Sequence, residues 1–155
     1  MAIGQSQAAA PALAGSKRRI STLVMAGSAA LMIIAMFLPY IVSAVDSAIS
    51  VSVFAAATSS SELIGTDGKV VYTMIAGFLA AAALFAGLSL TGRKLWGVFS
   101  LIASLLVLGF HGLLLASLGE RSRQVAAGMG FWVIIAGSAV LFITSIAFLA
   151  SKKRA

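Results

Sequence analysis

Four long apolar runs constrain the fold of this chain more than any other feature. They cover residues 20–45, 70–90, 95–118 and 129–150, and none contains Asp, Glu, Lys or Arg. At about 1.5 Å per residue, a helix of roughly this length crosses the ~30 Å hydrocarbon core of a bilayer. A spanning backbone must satisfy its own hydrogen bonds, so such segments are helical. The pattern predicts an all-α integral membrane protein with its domain at residues 20–151.

Composition agrees with a membrane location. Of the 155 residues, 61% are hydrophobic and only 10% are charged, whereas a soluble domain usually carries about 25% charged residues. The net charge of +7 fits basic residues that flank membrane spans. No basic face is interleaved with aromatic residues, so we expect membrane lipids as contacts and no nucleic acid. The chain has no cysteine, which excludes disulfides and thiol catalysis.

The distribution of charge predicts the orientation. One side of the membrane would hold eight basic residues and no acid: Lys17, Arg18, Arg19, Arg93, Lys94, Lys152, Lys153 and Arg154. The other side would hold every acid together with three bases: Asp46, Glu62, Asp67, Lys69, Glu120, Arg121 and Arg123. The positive-inside rule then places both termini in the cytoplasm. We predict an antiparallel bundle of four transmembrane helices, multi-pass in the cytoplasmic membrane.

The remaining segments follow from this topology. Residues 1–19 are predicted to be a mobile basic N-terminal tail, and residues 152–155 a basic cytoplasmic tail. The outer loops are 46–69 and 119–128. The short turn at residues 91–94 makes the second and third helices antiparallel neighbours.

Small residues on the second span suggest where helices approach closely. Lipid provides no hydrophobic drive between helices, so small side chains favour contact. A face at 4-3-4 spacing is the candidate packing face: Ala76, Ala80, Ala83 and Gly87. The same face would suit either the rest of this chain or a homo-oligomer.

A second group of residues is polar and lies within the third span. Ser100, Ser104 and His111 fall at 4-7 spacing, on one helical face. An ionisable residue inside a span is a candidate functional site; the alternative is a neutral imidazole that hydrogen-bonds to a neighbouring helix. No span contains a carboxylate, so neither paired-carboxylate catalysis nor a metal site is expected. We predict no enzyme activity and no cofactor.

The first outer loop contains a strand-like stretch. Residues 49–53 alternate between apolar residues and serine, which is typical of a strand with one apolar face. An irregular loop, a hairpin with residues 63–64 and a docking site for a partner remain as alternatives. The candidate outer contact surface consists of Ile49, Val51, Val53 and Asp67.

Short motifs resemble a known class of proteins. The chain has "FLPY" at residues 37–40, "TDGK" at residues 66–69 and "GMGFWVIIAGSAVLFITSIAFL" at residues 128–149. This order resembles small uncharacterised four-helix membrane proteins of Gram-positive bacteria, in which FLP(W/Y) ends the first helix and DGK precedes the second. Tyr40 stands where tryptophan is frequent. The resemblance covers most of residues 20–150 and implies a topology and a bacterial setting, but no activity.

Three functions fit these features. The first is a non-enzymatic accessory subunit that stabilises or regulates a larger bacterial membrane complex, respiratory or of the cell envelope. The second is a small oligomeric transporter or channel with a polar path at Ser100, Ser104 and His111. The third is a sensor or immunity-type protein that binds an exported peptide through residues 46–69.

Overall fold

The computed structural model describes residues 9–43, 49–58, 66–120 and 125–151, and it is mostly helical. The long helices are α1 (Ala9–Ala35), α3 (Thr66–Leu88), α4 (Lys94–Glu120) and α5 (Met129–Ala150). A short helix, α2 (Val53–Thr58), precedes α3. The strands are β1 (Pro39–Ser43), β2 (Ser50–Ser52) and β3 (Val125–Ala127).

Among the described residues, three helical stretches are long and apolar enough to cross a membrane, which indicates a membrane protein. They are Gly68–Thr91, Lys94–Ser117 and Met129–Ala150. Helix α1 contributes a shorter apolar stretch, Arg19–Ala35, which rises about 26 Å at about 1.5 Å per residue. The fourth crossing, by α1, and the orientation of the termini stay predictions.

The first helix ends before the outer end of the first predicted span. Helix α1 ends at Ala35 rather than near residue 45. Tight turns follow, in which Phe37 donates to the carbonyl of Ile34 and Leu38 to that of Ala35. Pro39 has no N–H to continue the helix, and the chain enters β1 there.

The start of this helix also differs from the prediction. Helix α1 begins at Ala9, within the segment 1–19 that the sequence predicts to be a mobile tail. Residues 9–14 include four alanines, and alanine has the highest intrinsic helix propensity. Residues 1–8 and the predicted tail 152–155 lie outside the described residues.

The strands form one antiparallel sheet in the order β2-β1-β3. In the central strand β1, Ile41 lies opposite Val51 of β2 and Ala127 of β3. The predicted strand in the first outer loop is confirmed for Ser50–Ser52, but β1 is its partner. Residues 63–64, the predicted hairpin partner, lie outside the described residues. We call this sheet together with α2 the cap.

Val53 departs from its predicted role in the strand. It begins α2 and is fully buried, so it is not part of an exposed outer contact surface. The Ser52 hydroxyl accepts a hydrogen bond from the N–H of Ala55 at 3.2 Å. This N-terminal capping bond stabilises the start of α2 directly after β2. Asp67 lies in the first turn of α3, because this helix begins at Thr66 rather than near Val70.

Helix α5 packs against both α1 and α4. Its buried residues run along its whole length: Gly130, Phe131, Ile134, Gly137, Ser138, Leu141, Ser145 and Phe148. Helices α3 and α4 pack against each other as predicted. The chain reverses between them at Gly92, whose positive φ of 73° suits glycine.

The buried face of α3 is shifted from the predicted face by one residue toward the N-terminus. The buried residues are Ile75, Leu79, Ala82, Ala86 and, just beyond the helix, Ser89. Of the predicted face, Ala80 is exposed, and Ala76, Ala83 and Gly87 are half-buried. The larger Ile75 and Leu79 form more van der Waals contacts than alanine does. The residues of the predicted face therefore flank the contact within this chain.

Candidate functional site

The predicted polar residues of α4 lie on its buried face. Ser100, Ser104 and His111 are all almost completely shielded from solvent. The Ser145 hydroxyl of α5 donates to the Ser100 oxygen at 3.2 Å. The same face of α4 carries Gly97, which Phe148 of α5 approaches closely. These serines and the histidine therefore lie at the contact between α4 and α5, not on an open channel wall.

Most polar groups of this face are satisfied within the chain. The Ser104 hydroxyl donates to the carbonyl of Leu101 at 2.9 Å. His111 Nδ1 lies 2.7 Å from the carbonyl of Val107. On α5, the Ser138 hydroxyl donates to Met32 Sδ of α1 at 3.7 Å. Side-chain bonds of this local kind fix rotamers and leave few groups for a solute.

The hydroxyl pair between α4 and α5 gives a first testable expectation. Ser100→Ala and Ser145→Ala should each lower the free energy of unfolding. The double variant should lose less than the sum of the two single losses. A coupling of about 0.6 kcal/mol is the average for hydrogen bonds between membrane helices. A double-mutant cycle of unfolding free energies in detergent measures it. Ser117→Ala is the control, because its exposed hydroxyl donates to the Leu114 carbonyl of its own helix. Additive losses of unfolding free energy in the double variant would contradict the hydrogen bond between Ser145 and Ser100.

His111 belongs to a buried aromatic cluster that sequence reasoning did not identify. We define this cluster by Tyr40, Tyr72, His111 and Phe131. The ring centroid of Tyr40 lies 5.7 Å from His111, 5.3 Å from Phe131 and 6.0 Å from Tyr72. His111 and Phe131 are 5.3 Å apart. Strand β1, α3, α4 and α5 each contribute one ring, so the cluster joins the cap to the bundle.

Tyr40 is a buried residue of the cap. A tyrosine beside the end of a span predicts an anchor at the membrane interface, but Tyr40 is only 1% exposed. Along β1, Pro39 is exposed and Tyr40 is buried, because side chains alternate between the faces of a strand. Burial raises the pKa of the Tyr40 phenol, and the nearby Tyr72 raises it further. Tyr40 therefore stays a neutral hydrogen-bonding group at physiological pH.

Close backbone contact holds Tyr40 against the start of α5. The N–H of Gly128 donates to the Tyr40 carbonyl at 2.9 Å. A Cβ on Gly128 would overlap the carbonyl oxygen of Pro39, and a Cβ on Gly130 would lie 2.9 Å from the carbonyl oxygens of Ala35 and Leu38. The "GMG" sequence therefore allows the α1–β1 turn to pack directly on α5. We call this contact the glycine seam.

An aromatic pair is exposed where the turn between α1 and β1 meets helix α2 of the cap. The rings of Phe37 and Phe54 lie 4.8 Å apart, with 59% and 45% of these residues exposed. The N–H of Phe54 donates to the carbonyl of Met36 at 3.0 Å, which fixes the pair. We call Phe37 and Phe54 the cap patch. In the sequence, only the nearby Pro39 pointed to Phe37 as a contact residue, and no pattern pointed to Phe54.

The predicted outer contact surface is only partly exposed. Ile49 is exposed, Val51 is half-buried and Val53 is buried. Asp67 is placed by its backbone alone, and its side chain lies outside the described residues. The four residues therefore do not form one exposed surface among the side chains that the structure describes.

The described residues contain no group of three or more His, Cys, Asp or Glu side chains able to hold a metal ion. No family model, no curated protein and no solved structure matches the chain. The resemblance to four-helix proteins of Gram-positive bacteria therefore stays a prediction.

Proposed function

We propose that this protein is a non-enzymatic accessory subunit of a larger bacterial membrane complex, and that it contacts that complex through the cap patch. The observation that carries the proposal is the exposed, fixed pair of Phe37 and Phe54. In this proposal all four long helices cross the cytoplasmic membrane, both termini are cytoplasmic and the cap lies outside.

The cap patch has the chemistry of a protein contact. Large aromatic side chains are enriched in the cores of protein interfaces and among the residues that dominate binding energy. Phe37 and Phe54 come from separate elements and are already held together by the Met36–Phe54 backbone bond. A surface that is ordered before binding loses less conformational entropy when a partner arrives.

The site offers less support for the other functions. A transport path needs polar groups that face water, whereas Ser100, Ser104 and His111 are buried against α5. Most of their polar atoms bond within the chain. A sensor that binds an exported peptide would use the same cap, so the partner's size distinguishes it from an accessory subunit.

Purification from native membranes in mild detergent tests the proposal. We expect a membrane protein to co-purify at fixed stoichiometry with the parent and to be reduced at least tenfold with Phe37→Ala/Phe54→Ala. Loss of a hot-spot pair costs about 2 kcal/mol or more, which exceeds a tenfold change in affinity.

The matched control for this experiment is Ile143→Ala. Ile143 is exposed on α5, inside a membrane-spanning stretch and away from the cap, so its truncation should leave the companion in place. A parent protein that is always alone and monodisperse would contradict the accessory role. A companion retained by the double variant would contradict the cap patch as the contact.

A further inference from the structure

Two buried polar atoms of the aromatic cluster have no hydrogen-bond partner among the residues that the structure describes. They are the Tyr40 hydroxyl and His111 Nε2. Both residues are 1% exposed, and their rings meet edge to face with an interplanar angle of 83°. Buried polar groups are nearly always paired, often with an internal water, because an unpaired group loses its hydration without compensation. Two unpaired groups on touching rings indicate a shared partner.

The hydrogen bond at Nδ1 determines what His111 can accept. The Val107 carbonyl, 2.7 Å away, is only an acceptor, so Nδ1 carries a proton and donates. A charged imidazole is disfavoured here, because the packed rings around it are Tyr40, Phe110 and Phe131 and none is anionic. In the neutral ring Nε2 is then a lone-pair acceptor and requires a donor.

We propose that Tyr40 and His111 form a closed binding site for one water molecule. The water donates one hydrogen bond to His111 Nε2 and forms a second with the Tyr40 hydroxyl, which can donate or accept. It thereby links the central strand of the cap to α4. The inference is independent of the accessory-subunit proposal, since it concerns only contacts within this chain.

The chemistry of the site favours water over other small ligands. A cation would need anionic ligands, and the rings packed on Tyr40 and His111 are aromatic and neutral. An anion would need several donors, whereas Nε2 can only accept. Water provides both donors and acceptors and commonly occupies buried sites with two to four polar partners.

Solid-state NMR of the full chain in lipid bilayers tests the site directly. The protein has a single histidine, so after ¹⁵N-histidine labelling every imidazole signal comes from His111. We expect a neutral ring with its proton on Nδ1, an unprotonated Nε2 that accepts a hydrogen bond, and magnetisation transfer from water to the ring. A proton on Nε2 overturns the proposal. So does the expected tautomer without water transfer, which would indicate a direct Tyr40–His111 bond or a dry site.

Tyr40→Phe provides a second measurement, because the melting temperature should shift in opposite directions with and without the water. If the water is present, the variant loses a partner for it. The melting temperature should then fall by about 2–4 °C, the shift produced by one hydrogen bond in a chain of this size. If the Tyr40 hydroxyl has no partner, its removal should raise the melting temperature, which overturns the proposal. Tyr72→Phe, at the only other tyrosine, is the control and should keep the water transfer to His111.

Discussion

Gly128→Ala is expected to lower the free energy of unfolding by about 1–3 kcal/mol, the usual cost of overpacking a buried contact. The backbone of Gly128 has φ −81° and ψ 177°, which any residue adopts, so the cost is steric. The added methyl would meet the Pro39 carbonyl and, at 3.1 Å, the side chain of Val42. Backbone atoms of a paired strand cannot move aside as a flexible side chain does. Equilibrium unfolding in detergent micelles measures the change.

A control in α4 separates the steric effect at the glycine seam from the general effect of replacing glycine by alanine. Gly109 has open space where a Cβ would be added, and alanine favours a helix over glycine by up to about 1 kcal/mol. Gly109→Ala should therefore leave stability unchanged or raise it. If Gly128→Ala is as stable as Gly109→Ala, the close approach of Pro39 to α5 is absent in the folded protein.

Phe131→Ala should have the largest effect of any single truncation, about 3–5 kcal/mol. Phe131 is fully buried at the start of α5, and its ring packs against both Tyr40 and His111. Its removal leaves a cavity in the aromatic cluster where the cap meets the bundle. The lost contacts have no replacement, because lipid does not reach a buried site. Thermal unfolding at several detergent concentrations measures the destabilisation.

Ile143→Ala is the matched control within the same helix. Ile143 is exposed on α5, where lipid or detergent replaces the lost contacts, so the cost should stay below about 1 kcal/mol. Equal losses of unfolding free energy for Phe131→Ala and Ile143→Ala would mean that Phe131 is not buried against the cap.

The spans near the end of the chain could be predicted closely from the sequence. The expected helix at 129–150 coincides with α5, and the expected helix at 95–118 lies within α4. Both runs are uninterrupted and end at glycine or charged residues, so length and composition suffice. The helix in the first predicted span ends at Ala35 rather than near residue 45. Ile41 and Val42 are as compatible with a membrane helix as with a strand. Their strand partners lie elsewhere in the chain, and a local pattern does not contain that information.

The candidate site shows the same limit. The spacing of Ser100, Ser104 and His111 placed them on one face of a helix, and that face is buried. Two of the rings that pack on His111 come from β1 and α5, so they could not be identified from α4 alone. The packed face of α3 was misplaced for a related reason. Small residues permit close approach, but the shapes of the opposing helices decide which face makes it.

The arrangement of the sheet implies an order of events during synthesis and membrane insertion. Strand β2 follows β1 closely in the chain, so these two can pair early. Strand β3 follows only after α3 and α4 have been made, and it directly precedes α5. Until then one edge of β1 remains without its strand partner. The cap can therefore be completed only after α3 and α4 have been made, and it then connects the first helix to the start of the last.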